Sequence, residues 1–174
     1  MLNMSRKRII VIALVAFAVT TAINLYHVQQ QKKEQEKTAR LKELSQRMLA
    51  KAAVALKLNK AEEQLMSGNY DESFPVIRKM AEEGNVRALH DLGWVYRQGI
   101  GVKQDYAQAL NWFTKAAEAD EAPDSYSASY YVGEIYYKGL GTVKTDREKA
   151  IKWLKRAKEN GVKEAEQYLK EVAK

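Results

Sequence analysis

The chain contains no cysteine, which excludes disulfides, thiolate metal sites and a cysteine nucleophile. Backbone breakers are missing from its first 67 residues: the nine glycines begin at Gly68, and the two prolines are Pro75 and Pro123. Histidine is scarce too. His27 and His90 are the only two, and neither stands in a metal spacing such as HExxH. There is no GxSxG nucleophile elbow and no Walker-type phosphate loop. Gly99-Ile100-Gly101 lacks the third glycine and the preceding strand of a dinucleotide site. The adjacent carboxylates Glu62-Glu63 and Glu82-Glu83 point about 100° apart on a helix, as solvated faces do. These absences point away from catalysis, and no cofactor or metal is expected.

What is present divides near residue 67 into an unpunctuated segment and a punctuated domain. The net charge is +7, from 29 basic and 22 acidic residues. Arg6, Lys7 and Arg8 supply three of the positives, ahead of an apolar run. Beyond residue 25 there are 26 basic and 22 acidic groups, a net of +4. They alternate along the chain, so no nucleic-acid partner is expected.

Ile9 to Leu25 carries no charge, and extended to Val28 the run is twenty residues. As a helix it measures about 30 Å, the thickness of a bilayer core. A membrane anchor over residues 9–28 is the expectation, with a cleaved signal peptide as the alternative; the run is longer than the 7–15 residues of a usual signal core. The abutting basic trio predicts a cytoplasmic N-terminus and a repeat domain on the other side. The five basic residues from Lys32 to Lys42 oppose that orientation by count.

Residues 29–66 are rich in good helix formers. Leu41, Leu44, Met48, Ala55, Leu58 and Leu65 recur at spacings of three, four and seven, so one helix can run from the membrane into the domain. Lys51 and Glu62 fall in the same seam. That favours a single amphipathic helix, with at most weak self-association through a coiled coil.

Residues 88–117 and 128–158 are two copies of one pattern. Allowing Thr142 as an insertion, eleven positions are identical, which signals a repeat architecture. Ala88, Leu92 and Tyr96 line one face of a first helix, as do Ala128, Val132 and Tyr136. Gly93 and Gly133 sit beside that face, where a missing side chain lets another helix come close. Gly99 and Gly101, with Gly139 and Gly141, end the helix and turn the chain at positive φ. Asp105 and Asp146 then cap the second helix, and Gln108 stands where a capping-box partner would. Trp112 and Trp153 belong to apolar stripes with Ala109, Phe113 and Ala116, and with Ala150, Leu154 and Ala157. They read as core residues, and Trp112→Ala would then cost about 3–5 kcal/mol.

The pattern A-x3-LG-x2-Y-x2-G-x-G-V-x2-D-x3-A-x2-W-x3-A resembles the Sel1-like repeat, a relative of the tetratricopeptide repeat. Ala61, Leu65, Gly68, Tyr70, Ile77 and Met80 are similar to one degenerate tetratricopeptide unit. The fold expected is all-α: a transmembrane helix and helical stalk, then a short α-α solenoid. The domains read as a basic tail (1–8), the anchor (9–28), a stalk (29–50), a degenerate unit (51–84), two repeats (85–122 and 123–161) and a capping helix (162–174). In the cap, Val162, Ala165, Tyr168, Leu169 and Val172 repeat the first-helix stripe, while Lys170 replaces the packing glycine. Two departures stand out. Pro75 should kink or delay its helix. Residues 119–127 should form a surface loop around Pro123.

Positions that differ between the copies are where specificity is expected. His90, Trp94 and Arg97 correspond to Tyr130, Glu134 and Tyr137. The spacing of four and three puts each trio on one face of a first helix. The resemblance implies that this face lines the concave surface. Trp94, Arg97, Tyr130 and Tyr137 are therefore candidate contacts with a partner protein, followed by His90, Tyr131 and Glu134. Tyr130 and Tyr131 also suit packing against the stalk or a neighbouring unit. The function expected is an anchored adaptor in the bacterial envelope. An immunity-type inhibitor of a toxic enzyme is the alternative, and a peptidoglycan-binding module a third reading.

Overall fold

The computed structural model describes residues 6–119 and 123–172; residues 1–5 of the expected basic tail and residues 120–122 of the expected loop lie outside them. Seven helices and no strand occur among the described residues: α1 Arg6–Met66, α2 Tyr70–Glu82, α3 Val86–Gln98, α4 Tyr106–Glu118, α5 Pro123–Lys138, α6 Arg147–Glu159 and α7 Glu164–Val172. The chain forms two units, residues 1–53 and 54–174.

In the first unit α1 has no internal breaker. The apolar residues from Ile9 to Val28 are exposed, and α1 is the one helix, among the described residues, long and apolar enough to cross a bilayer. Farther along, Leu41, Leu44 and Met48 also remain exposed. Glu43 and Arg47 form an i,i+4 ion pair at 2.8 Å, which adds only a few tenths of a kcal/mol to the helix.

The second unit contains the core. From the last turns of α1, Leu58, Ala61 and Leu65 join Ile77 and Met80 of α2, then Ala88, Leu92 and Val95 of α3. Successive helices pack on each other: α2 on α3, α3 on α4, α4 on α5, α5 on α6, and α6 on α7. The glycines do what their spacing predicts. A Cβ on Gly93 would lie 2.6 Å from the Phe113 ring, and one on Gly133 would lie 2.6 Å from Leu154 Cγ. The paired helices approach at these points because the side chain is missing.

Helix ends follow local chemistry. Gly99 closes α3 at φ 72°, a left-handed conformation that favours glycine. Asp105 accepts from the N–H groups of Ala107 and Gln108, and Asp146 accepts from Lys149 N–H. The expected capping box does not close at Gln108, because the Asp105 N–H already donates to Tyr96 O at 2.9 Å. The Asp146 N–H donates in the same way to Tyr136 O. Asn85, which the repeat pattern did not flag, caps α3 by accepting from Ala88 N–H.

Three expectations are corrected. Pro75 lies within α2 without delaying it, since the helix already starts at Tyr70. Pro123 does not sit in a loop; it opens α5, at the first helical position, where its missing N–H has no intrahelical partner to lose. Trp112 packs against the core as expected but is only half-buried, with Lys115 Nζ 4.1 Å from its ring centroid. The fully buried side chain is its neighbour Phe113. Trp153 is buried as expected.

Tyrosine at the start of a second helix joins one unit to the next. Tyr70 packs against Gly101 and Tyr106 against Gly141. The corresponding position in the last unit is Arg147. In α7 and the turn before it, Ala165 and Val172 are buried, while Lys163, Glu166, Gln167 and Lys170 are exposed.

Candidate protein-binding surface

Helix α5 lies against both α3 and α7, and side chains of the three share one face. At its centre is Glu134, whose side chain is 5% exposed. Arg97 from α3 donates to its Oε2 at 2.8 Å, Lys138 of α5 to Oε1 at 2.8 Å, and the Tyr168 hydroxyl of α7 to Oε1 at 3.1 Å. Burial alone would raise the Glu134 carboxyl. The Lys138 ammonium and the Arg97 guanidinium outweigh it and hold the carboxyl below its usual range. The same contact raises the Lys138 ammonium.

Aromatic rings surround this network. The Arg97 guanidinium lies 5.4 Å from the Trp94 ring centroid and 5.2 Å from that of Tyr131, within range of cation–π attraction. Tyr131 stacks on Phe113 at 4.8 Å. His90 meets Phe113 edge-on at 5.6 Å and Tyr131 at 5.8 Å. Tyr168 stands 5.7 Å from Tyr130 and 5.8 Å from Tyr137. Burial is the largest cause raising both the Tyr130 and Tyr131 hydroxyls, so both remain neutral donors.

All seven candidate contacts are thus brought together, but none is freely exposed. Glu134 is buried and the other six are half-buried. Glu134 and Arg97 mainly hold the units to each other, and Tyr131 fills the space between α3, α4 and α5. What stays open is a recess of about 410 Å³ lined by Trp94, Arg97, Ser127, Tyr130, Tyr131, Val162 and Glu164. Its walls mix the aromatic rings of Trp94, Tyr130 and Tyr131 with polar and charged groups from Arg97, Ser127 and Glu164. Glu164 is the one charged lining residue with no ion-pair partner among the described residues.

Val162, Glu164, Ser127, Lys138 and Tyr168 were not among the sequence candidates. Lys138 was legible, because it stands four residues after Glu134 on one helix. The others enter the face only through the crossing of α5 and α7. Among the described residues, no group of three or more histidine and acidic side chains is placed to hold a metal ion.

The Sel1 repeat family model matches residues 86–121 and 127–162. Over 84 residues the chain is 36% identical to the ERAD-associated E3 ubiquitin-protein ligase component HRD3A of Arabidopsis thaliana, covering 48% of this chain and 12% of that one. It is 28% identical over 86 residues to chitin synthase regulatory factor 2 of Schizosaccharomyces pombe, covering 49% and 16%. The chain thus spans less than a fifth of the length of these curated relatives. Among solved structures, a Sel1 repeat protein from Oxalobacter formigenes matches with a TM-score of 0.58 and 31% identity, over 68% of this chain and 88% of that one. A protective antigen of uropathogenic Escherichia coli with an SLR fold matches with a TM-score of 0.57 and 30% identity, over 65% and 24%.

Proposed function

Given that this chain is a Sel1 repeat protein, we propose that it is a membrane-anchored protein-binding module that serves as an adaptor in the bacterial cell envelope. Sel1 repeats mediate protein–protein interaction. The observation that carries the reading here is the aromatic recess between α3, α5 and α7. Trp94 and Tyr130 offer large apolar surfaces with polar tips, and the rigid Glu134 network holds them in place. Such pre-organised aromatics are the usual anchors of an interface.

Residues 9–28 place the domain at a membrane in this reading. The Arg6–Arg8 trio sets the N-terminus in the cytoplasm and the repeats in the periplasm. Two of the similar structures come from bacteria, the kind of cell this reading assumes. Alkaline phosphatase fused to the C-terminus should be active in intact cells; an inactive fusion that is stably made would reverse the orientation.

Trp94→Ala combined with Tyr130→Ala should abolish partner capture by in-cell crosslinking. Neither ring is fully buried, so the melting temperature should fall by only a few degrees, as about 1 kcal/mol would give. Undiminished capture by a folded double variant would remove the recess from the interface. A tight one-to-one complex with a single enzyme would replace the adaptor role with inhibition, and sedimentation with purified cell wall would point to peptidoglycan.

A further inference from the structure

The last turns of α1 meet α3 through a cluster that the recess does not use. Asn59 and Glu62 come from α1, and Arg87, His90 and Asp91 come from α3. Arg87 donates to Asn59 Oδ1 at 2.9 Å and also pairs with Glu62 Oε2. The remaining Glu62 oxygen, Oε1, and Asp91 Oδ2 are both buried, with no hydrogen-bond donor among the described residues. His90 does not complete the site. Its Nδ1 lies 3.4 Å from Asp91 Oδ1, on the far side of that carboxyl, and its Nε2 is buried without a partner.

The Glu62 and Asp91 carboxyls are within hydrogen-bonding reach of each other, and one guanidinium, that of Arg87, pairs with Glu62. If both ionise, two buried acceptors remain unsatisfied and one negative charge is left without a counterion. A single shared proton removes both costs, because one carboxyl then donates to the other. We propose that Glu62 and Asp91 form a proton-operated clasp that fastens the last turns of α1 to α3, closed at mildly acidic pH and loosened at mildly alkaline pH.

The charged and titratable groups facing Glu62 are Arg87 and Asp91, both from α3; His90 adjoins Asp91 from its other oxygen, and Tyr131 of α5 reaches the cluster through His90. Burial comes first in raising the Glu62 carboxyl, followed by the hydrogen bond with Asp91 and the Asp91 charge; Arg87 opposes them. The outcome is a Glu62 pKa of about 7 against an ordinary 4.5. A carboxyl raised on folding contributes stability that is fully present below about 4.5 and lost as pH rises through about 7. Clasp strength therefore changes across the range an extracytoplasmic domain meets. That last step rests on the location proposed above, but the clasp itself does not.

The test is amide hydrogen exchange on the full chain in detergent micelles between roughly pH 5.5 and 8.5, corrected for intrinsic exchange. A shift of one pKa unit corresponds to tenfold in the opening equilibrium, so protection of residues 58–66 should fall at least about tenfold across the range. Glu62→Gln, which keeps one donor and one acceptor, should flatten that profile and match the wild type at the acidic end. Asp91→Asn should flatten it from the other side of the pair. A Glu62→Gln profile parallel to that of the wild type would overturn the clasp. So would a slope that disappears only in His90→Gln, which would assign the titration to imidazole. An inactive phosphatase fusion would move the domain to the cytoplasm without altering these profiles, so the two readings fail separately.

Discussion

Glu134→Ala is expected to destabilise the repeat unit by about 3–5 kcal/mol, the loss typical when one partner of a buried ion pair is removed. The carboxylate accepts from three helices' worth of donors: Arg97 of α3, Lys138 of α5 and Tyr168 of α7. Without it the Arg97 guanidinium, whose Nε already lacks a partner, is left half-buried and uncompensated. A thermal or urea melt measures the loss. Replacing Arg97 and Glu134 together with methionine should recover part of it, because the desolvated charges go as a pair. The sign of the pH dependence is opposite to that of the clasp. Glu134 is held below its usual range, so its stabilisation is present above about 4.5 and is lost as pH falls through the lowered value. The stability gap between wild type and Glu134→Ala should therefore narrow in acid. An unchanged melt would make Glu134 dispensable to the fold and return it to the list of free partner contacts.

Phe113→Ala should cost a similar amount, about 3–5 kcal/mol, through a lost transfer term and the cavity left behind. The ring is fully buried, stacks on Tyr131, meets His90 and lies where α3 passes closest at Gly93. Phe113→Leu should be far milder, since Leu154 holds the equivalent place opposite Gly133. Gly93→Ala should lose roughly 1–3 kcal/mol by overpacking, less the better helix propensity of alanine. Combined with Phe113→Ala it should lose less than the sum, because the new methyl enters the space the ring vacates. Additive losses in chemical denaturation would mean that the two residues do not meet. Trp112→Ala should fall well short of Phe113→Ala, for the indole is only half-buried.

The Trp112 and Phe113 pair shows where sequence reading stopped. Both lie on the apolar side of α4, about 100° apart. Periodicity marks the stripe, but the crossing of α3 over α4 selects the ring that meets Gly93. The 90/94/97 and 130/134/137 trios have the same limit. Spacing placed each on one helix face. Whether that face stayed free depended on the next helix, and Tyr168 and Lys138 turned Glu134 inward. Gln108 missed its capping role because the Asp105 N–H was taken by a carbonyl nine residues back.

The repeat itself determined the helix pairs, their ends and their closest approaches. Turning glycines, capping aspartates and packing glycines act through local backbone geometry and sterics, which a sequence carries at fixed spacing. Tertiary structure alone decided which polar and aromatic side chains were consumed in joining one unit to the next and which remained open at the recess. Burial and charge pairing are properties of neighbours brought together by the fold, at sequence separations such as the 34 residues between Glu134 and Tyr168, and no local pattern records them.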